Sequence, residues 1–389
     1  MASGELSRTS NVIDGIRKIN DSAWQKNERE KMTGIADTIW GRLGDAEGKR
    51  KRDESLEGYL SYCEREVEFA RRGTLTARED LMEAIECLKS RPSEARANLK
   101  EGRSEPLPLP LAVRLMYGTA CLSLGTVGGD IFRPIWKESK TLAKYIERVY
   151  PRSTDAVLDS RSVRVHKLSM SYLASFATVD LRWTNQLTDH LILLKGDGWK
   201  SLYLFRHPAF LRHSLQTLGN NNPDLEQSTA EALSLGCLPP GLLRETLMTY
   251  DLLFPRAGDS QSRSILEREV ARHQLDPSFL EPSRLQAEHH NNYRDALDSA
   301  DVRSLYEKYP YWGDRLYDLW KEADDPTPVT AVERWSEARR NPRFTYWCTV
   351  VSVSIAIAFG MAATALGAIQ VWISYCGWVD DPTKPLCRT

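Results

Sequence analysis

Apolar residues recur at three- and four-residue intervals along the start of the chain, the spacing that lines one side of a helix. Met32, Ile35, Ala36, Ile39, Trp40 and Leu43 make one such stripe; Leu56, Tyr59, Leu60, Cys63, Val67 and Ala70 make a second, closed by Gly73. Thr76 and Glu79 stand at capping-box spacing ahead of Leu81, Ile85 and Leu88, which predicts a third helix. Pro106, Pro108 and Pro110 interrupt the pattern, so 101–110 reads as an extended linker. A helix is then predicted over Asp130–Val149, with Pro134 in its first turn. Trp183, Leu187 and Leu191 share a helical face, making Asp180–Leu191 another short helix. Two apolar runs around Asp197-Gly198 predict a β-hairpin at about 191–205. Both faces of its second arm are apolar, so Trp183, Leu202, Leu204 and Phe205 should be buried. Further helices are expected over Pro240–Phe254, with Leu243, Leu247 and Met248 inward, and over Ser264–His273, Ser283–Leu297 and the aromatic-rich Tyr306–Trp320. Asp324–Pro328 breaks the chain again.

One segment differs from all the others. No charged residue occurs from Phe344 to Val379. A bilayer core of ~30 Å needs about 20 apolar residues in a helix, so a transmembrane helix is predicted over 346–375, followed by a short tail at 376–389. Tyr346 and Trp347 mark one end and Trp372, Tyr375 and Trp378 the other, as in the aromatic belts of two headgroup layers. Arg334, Arg339, Arg340 and Arg343 lie in a basic segment, 329–343, just before it; Asp380-Asp381 follow it. Positive charge favours the cytosolic side, which predicts a cytosolic N-terminal region and a lumenal or external tail. The opening Met-Ala-Ser-Gly-Glu-Leu starts no apolar run, so no secretory signal is expected, and the anchor should insert after translation. Within the anchor, Ser352, Ala356, Gly360, Thr364 and Ala368 recur every four residues, a small-residue stripe through which two such helices could pack as a homo-oligomer.

The expected fold class is therefore mainly α: a multi-helix cytosolic region with one small hairpin, plus a single C-terminal transmembrane helix. Its expected divisions are an N-terminal helical region at 1–100, the linker, and a helical domain at 111–328. The mean hydropathy of −0.45 hides the anchor within a polar average. Lys+Arg 52 against Asp+Glu 53 leaves a net charge of −1, and no nucleic-acid partner is expected without a basic excess. The basic run Lys49-Arg50-Lys51-Arg52 reads as a solvated loop. Seven cysteines, none in a C-x-x-C pair, fit neither a zinc cluster nor a disulfide framework. Cys376 and Cys387, in or beside the tail, are candidates for a disulfide in an oxidising compartment.

No catalytic, cofactor-binding or metal-ligating residue is assigned. Asp189-His190 and His289-His290 are neighbours that point apart on a helix, whereas a zinc pair wants i, i+4. His207 and His213 have no carboxylate or cysteine at ligand spacing. Gly196-Asp-Gly-Trp-Lys200-Ser201 has part of a phosphate loop, but Trp199 separates glycine from lysine and Leu194 stands where the leading glycine belongs.

The segment Asp180–Leu211, the stretch Leu238-Pro-Pro-Gly-Leu-Leu-Arg-Glu-Thr-Leu and Tyr311-Trp-Gly-Asp-Arg-Leu-Tyr resemble a group of uncharacterised filamentous-fungal proteins. The resemblance covers about the last two-thirds of the chain. It implies a helical domain with the same C-terminal transmembrane placement, and no activity. Two functions are expected to compete: a membrane-anchored, non-enzymatic scaffold or interaction protein, and an anchored enzyme using His166, His190, His207 or His213 with Asp180 or Asp189. Convergence of those side chains on one cavity separates the two.

Overall fold

The computed structural model describes residues 34–42, 44–71, 78–100, 107–121, 135–153, 162–219, 228–255, 258–280, 302–328 and 342–378. The chain divides into two units, Met1–Thr327 and Pro328–Thr389. Among the described residues the first unit is mostly helical around one small sheet.

Its early helices follow the apolar stripes. Helix α1 (34–40) buries Ile35, Ala36, Ile39 and Trp40 and stops at Gly41, whose φ is +91°. Helices α2 (Ala46–Ser55) and α3 (Glu57–Arg71) follow, then α4 (Arg78–Ser90). The Lys89 ammonium at the end of α4 donates to the carbonyls of Thr38 and Ile39, satisfying the C-terminal turn of α1. The Lys49–Arg52 run is helical, a correction to the expected loop, because acids sit within reach of every base. Lys49 pairs with Asp37, Arg50 with Glu47 and Glu54, and Lys51 with Glu47. Arg52, with 2% of its side chain exposed, lies between Asp37 and Asp53. The Thr76 cap, Gly73, Leu43 and 101–106 lie outside the described residues.

Helix α5 (Leu109–Tyr117) takes Pro110 into its first turn, where a missing N–H costs nothing. The late prolines of the expected linker therefore start a helix. Residues on both sides of them share one core: Arg114 pairs with Glu66 at 2.6 Å, and the Tyr59 hydroxyl donates to the Leu115 carbonyl. Helix α6 (Leu142–Val149) begins later than predicted, because the Thr141 hydroxyl caps the N–H of Lys144. Trp136, expected in that helix, is buried in the preceding loop, its Nε1–H donating to the Lys140 carbonyl at 2.9 Å.

Helix α7 (Met170–Phe176) leads into the sheet, where the reading of Asp180–Leu191 as a helix is wrong. Asp180–Thr184 is strand β1, and a single 3-10 turn covers Leu187–Asp189. The predicted hairpin exists as β2 (Ile192–Gly196) and β3 (Trp199–Phe205), but in a mixed sheet of order β1-β3-β2. β3 pairs antiparallel with β2, Lys195 opposite Lys200, and parallel with β1, Trp183 opposite Leu204. Leu202, Leu204 and Phe205 are fully buried, as expected. Trp183 is only partly buried, because its indole spans from Phe279 to the Glu269 carboxylate, to which Nε1–H donates.

Helices α8 (Pro208–Leu218), α9 (Thr229–Ser234), α10 (Pro240–Leu253), α11 (Ser260–His273), α12 (Val302–Lys308) and α13 (Gly313–Asp324) complete the unit. Helix α11 starts a turn earlier than predicted, on an Asp259 cap that also accepts from Ser171. The helix expected at 283–297 lies outside the described residues. The aromatic run is core: Tyr306, Tyr309, Trp312, Tyr317 and Trp320 are all buried.

In the second unit, α14 (Pro342–Trp378) is one 37-residue helix. Its stretch Cys348–Trp378 has a mean hydropathy of 2.0 and is long and apolar enough to cross a membrane.

Candidate functional site

Two features invite a functional reading: the apolar helix, and the polar side chains inside the first unit. Along α14 the large apolar groups are exposed, from Val350 at 37% to Trp378 at 87%. Ser352, Ala356, Gly360, Thr364 and Ala368 are exposed as well. A side chain at Gly360 would meet nothing within 4 Å, so that position is open to a close neighbour. The hydroxyls of Ser352 and Thr364 already donate to the carbonyls four residues back, each at 2.8 Å, which leaves them as acceptors only. Arg343 falls in the first turn of α14; Arg334, Arg339 and Arg340 lie outside the described residues. Cys63, Cys87, Cys121 and Cys237 are buried and free, and Cys348 is exposed and free. Cys376 is disulfide-bonded, while Cys387 lies outside the described residues.

The histidines do not converge. His190 is fully buried; its Nδ1 accepts the N–H of Phe205 at 3.2 Å, so its proton sits on Nε2. That proton goes to the Thr249 hydroxyl at 2.7 Å, which in turn donates to the Thr246 carbonyl. Burial, reinforced by the Arg315 guanidinium, holds His190 well below the usual imidazole value. Asp189 points elsewhere, accepting from Thr184 at 3.2 Å. His207 stacks on Tyr62 and donates from Nε2 to Asn185 at 2.9 Å. Burial, then Arg206 and Arg65, push it down to about 3. His213 meets the edge of Trp40, and burial with Arg52 brings it to about 4. His166 lies against Tyr172, and Asp180 is exposed at the start of β1. The four histidines and Asp189 each have their own partners, and the expected enzymatic constellation has no common centre among the described residues.

A cavity of about 210 Å³ opens between α6 and the start of α10, lined among others by Tyr150, Arg152, Leu242 and Tyr311. It is smaller than the ~300 Å³ at which small-molecule sites begin, and none of the four histidines lines it. Among the described residues no group of three or more His, Cys, Asp and Glu side chains is placed to hold a metal ion.

Sequence spacing missed a buried charge cluster. Glu322 on α13, with 1% of its side chain exposed, accepts Lys200 at 2.6 Å on Oε1 and faces Lys195 on Oε2. The same Oε1 accepts the N–H and hydroxyl of Thr327 at 2.8 and 2.9 Å. Burial alone would raise this carboxyl, but the two lysines and Thr327 outweigh it and lower it. Lys200 also donates to the Ala177 carbonyl at 3.0 Å. The lysines either side of the Asp197-Gly198 turn thus form a structural clamp. No family model, curated protein or solved structure matches the chain.

Proposed function

We propose that the chain is a single-pass membrane protein whose helical first unit works at the cytosolic face as a non-enzymatic scaffold or interaction module. The observation that carries the reading is α14, whose candidate span has none of its apolar window buried. Ten strongly apolar side chains between Val350 and Ile373, at about −0.3 to −0.6 kcal/mol each, favour insertion by roughly 3–6 kcal/mol. From Trp347 to Trp372 the helix rises about 38 Å, close to the separation of two headgroup layers. The arginines before the helix support a cytosolic first unit. So does the contrast between four buried free cysteines in that unit and a disulfide at Cys376, as disulfides persist on the oxidising side. The open position at Gly360 supports pairing of two anchors through the small-residue stripe, by close packing more than by hydroxyl donation.

Two measurements on sealed microsomes test this. The protein should resist alkaline carbonate extraction, and added protease should digest the first unit while sparing a C-terminal tag. Release by carbonate would remove the membrane reading; full protection of the first unit would reverse the orientation.

A further inference from the structure

We propose that Thr327 is a phosphorylation site for a proline-directed, ATP-dependent kinase, and that its phosphate unlatches the end of the first unit from Glu322. In the cell this rests on the cytosolic placement argued above. Thr327-Pro328 is the one Ser-Pro or Thr-Pro dipeptide in the 389 residues. No lysine or arginine stands within five residues of Thr327 on either side, so Pro328 is the feature a kinase could read. Proline confines the residue before it to extended backbone, the form in which an acceptor hydroxyl enters a kinase cleft. Thr327 is also accessible: it is exposed and lies past the end of α13, outside helix and strand.

The hydroxyl stands where added charge acts on the fold. Thr327 donates twice to Glu322 Oε1, from its N–H at 2.8 Å and from its hydroxyl at 2.9 Å. Glu322 is buried and balanced by Lys200 on Oε1 and Lys195 on Oε2. A kinase would transfer the γ-phosphoryl of ATP to Thr327 Oγ1: an O–P bond forms there, the bond to ADP breaks, and the hydroxyl proton passes to the kinase's base. The product carries about −1.5 to −2 charges and has lost its donor proton. Across the former hydrogen bond it would face the Glu322 carboxylate, and the two anions repel. Lys195, with 44% of its side chain exposed, reaches the same carboxylate and can turn to the phosphate. Lys200 is held by the Ala177 carbonyl as well and stays with Glu322. Thr327 thus moves off Glu322 while the buried Lys200–Glu322 pair is kept.

The test incubates the full-length chain, purified in detergent and separately in sealed microsomes, with ATP and a proline-directed kinase verified on its own standard substrate. Mass spectrometry of the detergent sample should place the phosphate on Thr327. Thr327→Val, which keeps the shape, should take none there, and Pro328→Ala should lose most of it. Between Pro326 and Pro328, neither of which has an N–H, the Thr327 amide is a single exchangeable probe. Its hydrogen exchange should quicken about tenfold on phosphorylation, as a bond to a charged acceptor is lost. An unlabelled chain in detergent, or label confined to other residues, would overturn the site. Phosphate on Thr327 with unaltered amide exchange would overturn the unlatching. Label in detergent but not in sealed microsomes keeps the site and reverses the orientation of the first unit; no label in detergent defeats the site alone.

Discussion

Acid should destabilise the first unit well before its carboxylates protonate. The perturbation is a drop from about pH 7.5 to about pH 5. In the unfolded chain a histidine titrates near 6.5, whereas His190 and His207 are held far lower in the fold. Their folded values are depressed, so the unfolded state binds the extra protons and stability falls as pH drops below the unfolded value. At pH 5 each histidine then costs roughly 2 kcal/mol, and the fully buried pair roughly 4 kcal/mol. His213, partly exposed, adds in the same direction and is left out of that sum. A loss of ~4 kcal/mol is a large part of the 5–15 kcal/mol typical of a folded domain. Asp259 and Glu322, both lowered in the fold, contribute their own loss only below their ordinary values of 3.8 and 4.5. Urea unfolding of the detergent-solubilised chain, followed by tryptophan fluorescence at several pH values, reads this window. His190→Gln keeps one donor for Thr249 and one acceptor for Phe205 yet cannot take up a proton, and His207→Gln keeps the bond to Asn185. Each should flatten the pH slope by up to about 1.4 kcal/mol per unit. Equal stability at pH 7.5 and 5, or unaltered slopes in both variants, would refute the reasoning.

Three further outcomes are expected. Phe205→Ala removes a fully buried ring packed against Gly118 and should cost about 3–5 kcal/mol in urea unfolding. Lys200→Met leaves the Glu322 carboxylate short of its buried partner and should cost roughly 3–5 kcal/mol, much of it recovered in Lys200→Met/Glu322→Leu; a larger loss in the double variant would argue against the clamp. Gly360→Leu should leave membrane insertion intact while abolishing anchor-to-anchor crosslinking, and undiminished crosslinking would exclude pairing through that stripe.

The long apolar helix α14 and the helical stripes were legible because each is a local pattern: an uncharged run in one case, a 3.6-residue period in the other. Strand β1 was not. Trp183, Leu187 and Leu191 mimic a helical face, and they outweighed the short alternation of Asp180 and Arg182 with Leu181 and Trp183. What makes that segment a strand is its parallel partner, residues 201–205, and propensity yields to such pairing. The basic run was recognisable as charged, but the burial of Arg52 depends on Asp37, which no helical spacing links to it. The Glu322 clamp joins residues more than a hundred positions apart, so nothing local announces it.

That clamp also decides where a mechanical load would enter. A pull through α14 would reach the first unit at Thr327, the last residue of that unit. Thr327 hangs by its backbone and hydroxyl from Glu322, Glu322 is locked to the hairpin through Lys200, and Lys200 grips the Ala177 carbonyl after α7. Tension is thus shared among helix, sheet and loop and must shear several buried bonds together, whereas a free end would peel α13 one turn at a time. Under the proposed anchoring, this arrangement would keep the core closed at the point where the load arrives.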